Sequence, residues 1–173
     1  MISNIHYTGK VTVKVKGKPA VKTKNAGTVA FFNLLSKILS QMLIPTSQGA
    51  DAFSRHLPSY IVVMKSTSNT LTPENYTYQL NSEDKLVFNE IPITNYKFDT
   101  DKVFFQGVLN NSNIKTDIDT QGQCHVLLLD GNRENILAYT AVDLQYFREV
   151  KDNQFSQATI TWEMTFSNSE EEL

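Results

Sequence analysis

Two pairs of aspartates are the residues in this sequence whose types and spacing best suit catalysis. The pairs are Asp99 with Asp101 and Asp117 with Asp119. Residues two apart on a strand share a face, so either pair could supply the two carboxylates of a glycosidase-type hydrolase. Both pairs nevertheless lie among Thr, Asn and Lys at predicted strand ends, where aspartates commonly serve turns and solubility. The pattern therefore favours a structural role and keeps hydrolysis as an alternative.

The cysteine and histidines do not form a reactive group in the sequence. The three histidines, His6, His56 and His125, are dispersed and show no H-E-x-x-H or similar metal-ligand spacing. Cys124 and His125 are neighbours, and neighbours on a strand point to opposite faces, so they cannot form an activated Cys–His pair. We therefore predict no catalytic residue and no metal site, and we place Cys124 in or near the core.

Nucleotide and calcium chemistry are also disfavoured. Among seven glycines there is neither G-x-G-x-x-G nor G-x-x-x-x-G-K, so we predict no bound cofactor. The run 130–134, Asp-Gly-Asn-Arg-Glu, lacks the later glycine and glutamate of a calcium loop. A hairpin turn is the better interpretation of that run.

A lysine-rich segment is the most unusual surface feature. Residues 10–16 alternate valine with Lys or Thr, and Gly17-Lys18-Pro19 then supplies turn chemistry, so residues 10–25 are predicted to form a hairpin. Arginine and interleaved aromatics are missing from this hairpin, which argues against sequence-specific nucleic-acid binding. A solvated face that protects a sheet edge is an equally good interpretation. As protein–protein contacts, we predict its six lysines: Lys10, Lys14, Lys16, Lys18, Lys22 and Lys24.

The charge distribution suggests what those lysines contact. Residues 1–50 hold seven lysines and no acid, whereas residues 51–173 hold nine basic and eighteen acidic residues. One copy's basic hairpin could therefore dock on another copy's acidic surface. The candidate acidic element is the C-terminal group Glu170, Glu171 and Glu172.

A single helix and about eight strands are predicted. Thr28 is an N-cap candidate, and apolar residues then recur at helical spacing to Met42, so a helix is predicted over about 28–43. It should be stable only when packed on a sheet. Later segments show strand patterns, of which the clearest is 159–166, with Trp162 on the core-facing side. The other predicted strands are 60–64, 76–80, 86–91, 103–109, 123–129 and 136–142.

These elements predict a mainly β protein, an antiparallel β-sandwich with one N-terminal amphipathic helix. Residues 1–166 should form a single domain, followed by an acidic flexible tail at 167–173. The N-terminus lacks the apolar core of a signal peptide, and the longest apolar run is shorter than the roughly 20 residues that span a bilayer. We therefore expect no membrane partner.

Both ends of the chain resemble small virion structural proteins of tailed bacteriophages. The likeness lies in Asn25-Ala26-Gly27-Thr28 leading into 31–35, Phe-Phe-Asn-Leu-Leu, and in the closing stretch from Ala138-Tyr139 through 160–168. The resemblance implies a β-sandwich subunit that forms rings or attaches fibres to a capsid or tail, without a catalytic residue. It also implies a location in the virion, at the tail, collar or capsid surface, after synthesis in the bacterial cytoplasm. Its partners would be copies of itself and other virion proteins.

The leading hypothesis is therefore a non-enzymatic, homo-oligomeric structural subunit. One alternative is a carbohydrate- or receptor-binding module, because Trp162, seven tyrosines and Asn-rich loops could form a sugar platform. The core-facing position predicted for Trp162 argues against it. The second alternative is the hydrolase that uses paired aspartates.

Overall fold

The computed structural model describes residues 4–42, 57–65, 85–114 and 122–169. Within these ranges the chain is mainly β and every strand pairing is antiparallel, which confirms the predicted class. The strands are β1 Asn4–Val15, β2 Val21–Gly27, β3 Pro58–Lys65, β4 Lys85–Leu86, β5 Ile91–Pro92, β6 Asn95–Asp99, β7 Lys102–Asn110, β8 Gln123–Asp130, β9 Ile136–Asp143 and β10 Gln157–Ser169. The helices are α1 Val29–Met42 and α2 Arg148–Asp152, with 3₁₀ turns at Asn111–Asn113 and Leu144–Phe147.

Nine strands follow one path of pairings in the order β4-β3-β8-β9-β2-β1-β10-β7-β6, and β5 pairs with β3. The sheet curls into a half-barrel. β2 joins its two halves, because it pairs with β1 through Val21–Asn25 and with β9 through Ala26 and Gly27. We call β4, β3, β8 and β9 the first half, and β1, β10, β7 and β6 together with β2 the second half.

The main core lies on the inner side of the curl. It combines valines of β1 with residues of the first half, such as Val63 and Leu128, and with Trp162 of β10. Trp162 and Cys124 are each 0% exposed, which confirms the core positions predicted for them. Gly107 shows how closely the halves approach, because a Cβ there would lie 3.1 Å from a side-chain carbon of Ile61.

Thr28 connects the start of α1 to β9. Its hydroxyl oxygen accepts the backbone N–H of Phe31 at 3.4 Å, as an N-cap does. The same hydroxyl lies 2.5 Å from the carbonyl oxygen of Ile136 and 3.1 Å from that of Leu137. Phe31 and Leu34 of α1 are buried in the main core.

Two sequence predictions for strands need correction or comment. A continuous strand over 86–91 is wrong, because Lys85–Leu86 and Ile91–Pro92 are separate two-residue strands that both pair with β3. Between them Phe88 makes an isolated bridge to Ile114, so the pairing with β3 is interrupted between Leu86 and Ile91. Strand β6 was not predicted, and the predicted strand 76–80 lies outside the described residues.

Candidate contact surface on the second half of the sheet

The predicted lysine hairpin is present, and its strands expose lysines on the outer side. In β1, Val11, Val13 and Val15 are at most 1% exposed, so the alternate positions face outward. Lys14 is exposed there, and Lys22 and Lys24 are exposed on β2. The strict alternation in the sequence thus separates an apolar inner side from a basic outer side.

Two of these lysines lie directly opposite each other. The pairing register of β1 and β2 places Lys10 against Lys24, and Thr12 against Lys22. Like charges directly opposite each other in an antiparallel pair are destabilising. The Lys10/Lys24 pair therefore does not serve the stability of the hairpin.

Two carboxylates lie among the lysines of this surface in the described residues, Glu163 of β10 and Asp99 of β6, and Asp99 pairs directly with Lys102 of β7. Glu163 is opposite Lys10 in the β1–β10 pairing, and its Oε2 is 3.9 Å from the Lys10 Nζ. Its Oε1 is 3.4 Å from Nζ of Lys102 on β7. Partly exposed ion pairs of this kind contribute little stability, and both ammonium groups lie beside the same carboxylate.

Two lysines distant in sequence extend the basic surface. Lys102 pairs with Thr165 of β10, and Lys97 of β6 pairs with Phe104, the residue opposite Glu163 on β7. The Lys97 ammonium lies 5.9 Å from the centre of the Phe104 ring, within cation–π range. Sequence reasoning missed both, because only the pairing of β7 with β10 carries them to this face. We call the whole set the lysine face: Lys10, Lys14, Lys22, Lys24, Lys97 and Lys102.

The remaining predicted contacts are arranged differently. Lys16 follows the last residue of β1 and is exposed. Lys18 lies in the turn, where its Nζ is 3.4 Å from Oε2 of Glu149 on α2, so it is directed away from the lysine face. Glu170, Glu171 and Glu172 lie outside the described residues.

A groove of about 670 Å³ is lined by residues of β1, β2 and β10, including part of the lysine face. Gly9 and Asn25 both line this groove, and a Cβ added at Gly9 would overlap the side chain of Asn25. Asn25 Nδ2 donates to the Tyr7 hydroxyl at 3.1 Å, and burial raises the pKa of Tyr7 to about 12 despite that contact. Tyr7 therefore stays protonated at neutral pH. The charged groups that line the groove are Lys10, Lys22, Lys24 and Glu163.

The candidate catalytic residues do not form a site within the described ranges. Asp99 and Asp101 are both exposed at the β6–β7 hairpin, separated by Thr100 with a φ of 40°. Asp117 and Asp119 lie outside the described residues. Among residues 4–42, 57–65, 85–114 and 122–169, no group of three or more His, Cys, Asp or Glu could hold a metal ion.

Cys124 has the environment of a core residue. Its Sγ lies 3.3 Å from the carbonyl oxygen of Val142. Burial, with a smaller effect from the charge of Asp143, raises the pKa of the thiol to about 12. A thiol of that pKa is protonated at neutral pH and is a poor nucleophile. His125 is only partly buried, and the adjacent strand position directs it to the opposite side of the sheet.

Trp162 is 0% exposed, so this residue cannot contribute to the sugar platform of the carbohydrate-binding alternative. The most exposed aromatics described are Phe155, at 80% exposed, and Phe98, at 74%. They lie on different elements, since Phe98 belongs to β6 and Phe155 follows α2.

No helix in the described part of the chain is both long and apolar enough to cross a membrane. No protein-family model, curated protein or solved structure matches the chain.

Proposed function

We propose that this chain is a non-enzymatic structural subunit that assembles with copies of itself and with neighbouring proteins. Its lysine face acts as the contact surface for an acidic neighbour. The observation that carries the proposal is the arrangement of this face, where six lysines of four strands share the outer side with two described carboxylates, Glu163 and Asp99, so positive charge is in excess.

The physical argument is that folding alone does not account for this arrangement. The Lys10/Lys24 opposition is unfavourable and the two exposed ion pairs of Glu163 are of similarly small magnitude, so these contacts together contribute little to folding stability. An acidic partner surface would neutralise these charges and gain electrostatic complementarity. Because every lysine of the face is held on a paired strand, the spacing of the backbone positions that carry these side chains is fixed before a partner binds.

The proposed assembly is part of a phage virion, at the tail, collar or capsid surface. This part of the proposal rests on the resemblance at the two ends of the sequence. We also propose that the fold is a β-sandwich. The two halves of the curled sheet would be its two layers, and α1 would cover part of the core. The acidic tail that includes Glu170–Glu172 is the proposed counterpart of the lysine face in a neighbouring copy.

The mass of the purified chain in solution tests self-assembly, and electron microscopy with the products of neighbouring genes tests incorporation into a particle. We expect a mass of two or more subunits and labelled density within particles. A chain that is strictly monomeric at every concentration and never enters a particle would refute the proposal.

Paired substitutions test the lysine face itself. Lys22→Gln with Lys24→Gln removes two charges from the face, whereas Lys18→Gln with Lys151→Gln removes two charges from the turn and from α2. The first pair should weaken assembly at about 50 mM salt and reduce its salt dependence, because fewer screened charges remain at the contact. The control pair has the same net charge and should assemble like the unmodified chain. Equal effects of the two pairs would show that net charge, rather than this face, drives assembly.

A further inference from the structure

Strand β6 is the last strand on the described path of pairings, and it pairs with β7 alone. All five of its residues are exposed. An edge strand of this kind presents unpaired backbone N–H and C=O groups that can accept another strand. Its side chains therefore decide which strand fits.

On the inner side of β6, Tyr96 packs against the core and Phe98 lies past its edge. Tyr96 packs edge-on against Phe105 with ring centres 5.9 Å apart, and its hydroxyl donates to the carbonyl of Pro58 at 3.2 Å. Phe98, two residues further along the same face, is 74% exposed. The end of β6 thus carries a large apolar ring next to an open backbone edge.

The outer-side residues give β6 a self-complementary charge pattern. Lys97 and Asp99 flank Phe98 and share the outer face. If a second copy pairs antiparallel about a twofold axis through Phe98, Lys97 of each copy lies opposite Asp99 of the other, and the two Phe98 rings lie side by side. A register centred on Lys97 would instead place two lysines opposite each other, which is unfavourable.

We infer that β6 is a homodimerisation edge, with a second copy of this chain paired antiparallel through residues 96–100 and the twofold axis at Phe98. This inference deepens the self-assembly proposed above and rests on it. It assigns Lys97 and Asp99 as register-determining residues and Phe98 as the apolar centre. The lysine face stays on the outer side of both copies, because a twofold axis perpendicular to the sheet keeps like faces together.

A charge-swap series tests the register. Lys97→Asp and Asp99→Lys each place like charges opposite one another twice in the dimer, so each should weaken dimerisation by about tenfold. The combined exchange, Lys97→Asp with Asp99→Lys, restores opposite charges and should recover most of the lost association. Sedimentation velocity gives the masses, and circular dichroism verifies that each variant is folded.

A cross-link provides an independent readout that does not depend on charge. Phe98→Cys places a thiol on the twofold axis, where directly opposite residues of an antiparallel pair have Cα separations compatible with a disulfide. The matched control is Phe155→Cys, because Phe155 has a similar exposed fraction but lies on another surface. The sole native cysteine is buried and does not compete. We expect covalent dimers from Phe98→Cys under mild oxidation, at least tenfold faster than from the control.

The outcomes separate this inference from the broader proposal. The β6 edge would be overturned if the chain assembles to the same mass with either single charge swap and Phe98→Cys cross-links no faster than Phe155→Cys. Self-assembly itself would still stand in that case. A wild-type chain that is monomeric at all concentrations would overturn both.

Discussion

The two halves of the curled sheet differ in how many of their faces are buried. In β3 the consecutive residues 61–64 are all buried, and in β8 the consecutive residues 126–130 are all buried, so both faces of these strands are covered. In β1 only alternate residues, Val11, Val13 and Val15, are fully buried. The first half therefore has two covered faces, and the second half has one covered face and one solvated face.

This difference limits where a partner can bind. On the side of the first half opposite the main core there is a second buried cluster, made of Val62, Met64, Leu127, Leu129 and Ile136. The corresponding side of the second half carries the lysine face. Of the two outer sheet faces described, the one in the second half is thus the one available to another protein.

The largest predicted effect tests whether both faces of β8 contribute to stability. Leu127 belongs to the second cluster and Leu128 to the main core, at 1% and 0% exposed. Leu127→Ala and Leu128→Ala should each lower the free energy of unfolding by about 2–5 kcal/mol, since each deletes a fully buried side chain. Thr12→Ala, on the outer face of the second half, should cost less than about 1 kcal/mol. Urea unfolding measures all three, and a small loss for Leu127→Ala would remove the distinction between the halves.

A smaller effect is expected where α1 meets the joint between the halves. Thr28→Ala removes the N-cap and leaves the carbonyl oxygens of Ile136 and Leu137 without the hydroxyl donor, so unfolding should become easier by about 1–3 kcal/mol. Thr28→Ser is the control, because it keeps the hydroxyl and should recover most of the loss. If serine and alanine are equally destabilising, the methyl group rather than the hydrogen bonds is responsible.

Alkaline pH should destabilise the chain through the core thiol of the first half. Burial raises the pKa of Cys124 from 9.0 to about 12 in the folded state, so the unfolded chain loses this proton first. Stability is complete below pH 9 and falls between pH 9 and 12, at up to about 1.4 kcal/mol per pH unit from this group. Cys124→Ala should show a shallower fall in urea unfolding across that interval. An unchanged slope would assign the alkaline loss to other groups, such as Tyr7, whose pKa is also raised by burial.

The smallest effect concerns the like-charge pair on the solvated face. Lys24→Gln removes the charge opposite Lys10 and should raise the free energy of unfolding by a few tenths of a kcal/mol at low salt, with no gain at high salt. Lys18→Gln breaks the ion pair with Glu149 and should give a small loss instead. Thermal unfolding at two salt concentrations detects both, and a loss for Lys24→Gln would mean that the pair is not repulsive.

Local patterns in the sequence were sufficient to predict the longer strands that are buried on at least one face. The alternation of 10–16 and 159–166 and the apolar runs near 60–64 and 126–129 correspond to β1, β10, β3 and β8. Asp130 was also predicted in a turn, where it now accepts the backbone N–H groups of Glu134 and Asn135. In these segments the hydrophobic period is itself the cause of the structure.

The features that the sequence did not predict depend on contacts between residues that are distant in sequence. All five residues of β6 are exposed, so its strand conformation comes from pairing with β7 rather than from burial. Lys97 and Lys102 join the lysine face because β7 pairs with β10, which no local period indicates. Lys18 follows the basic pattern of its segment, yet the position of α2 directs it to Glu149.

The salt dependence of assembly tests the role of the solvated face most directly. The association constant of the unmodified chain should be measured by sedimentation equilibrium between about 50 and 500 mM salt, a range over which the screening length falls severalfold. A contact made by the lysine face predicts a constant that decreases steadily with salt, and a smaller decrease when Lys22 and Lys24 are replaced by Gln. An association constant that is independent of salt, or a chain that never associates, would contradict the proposed function.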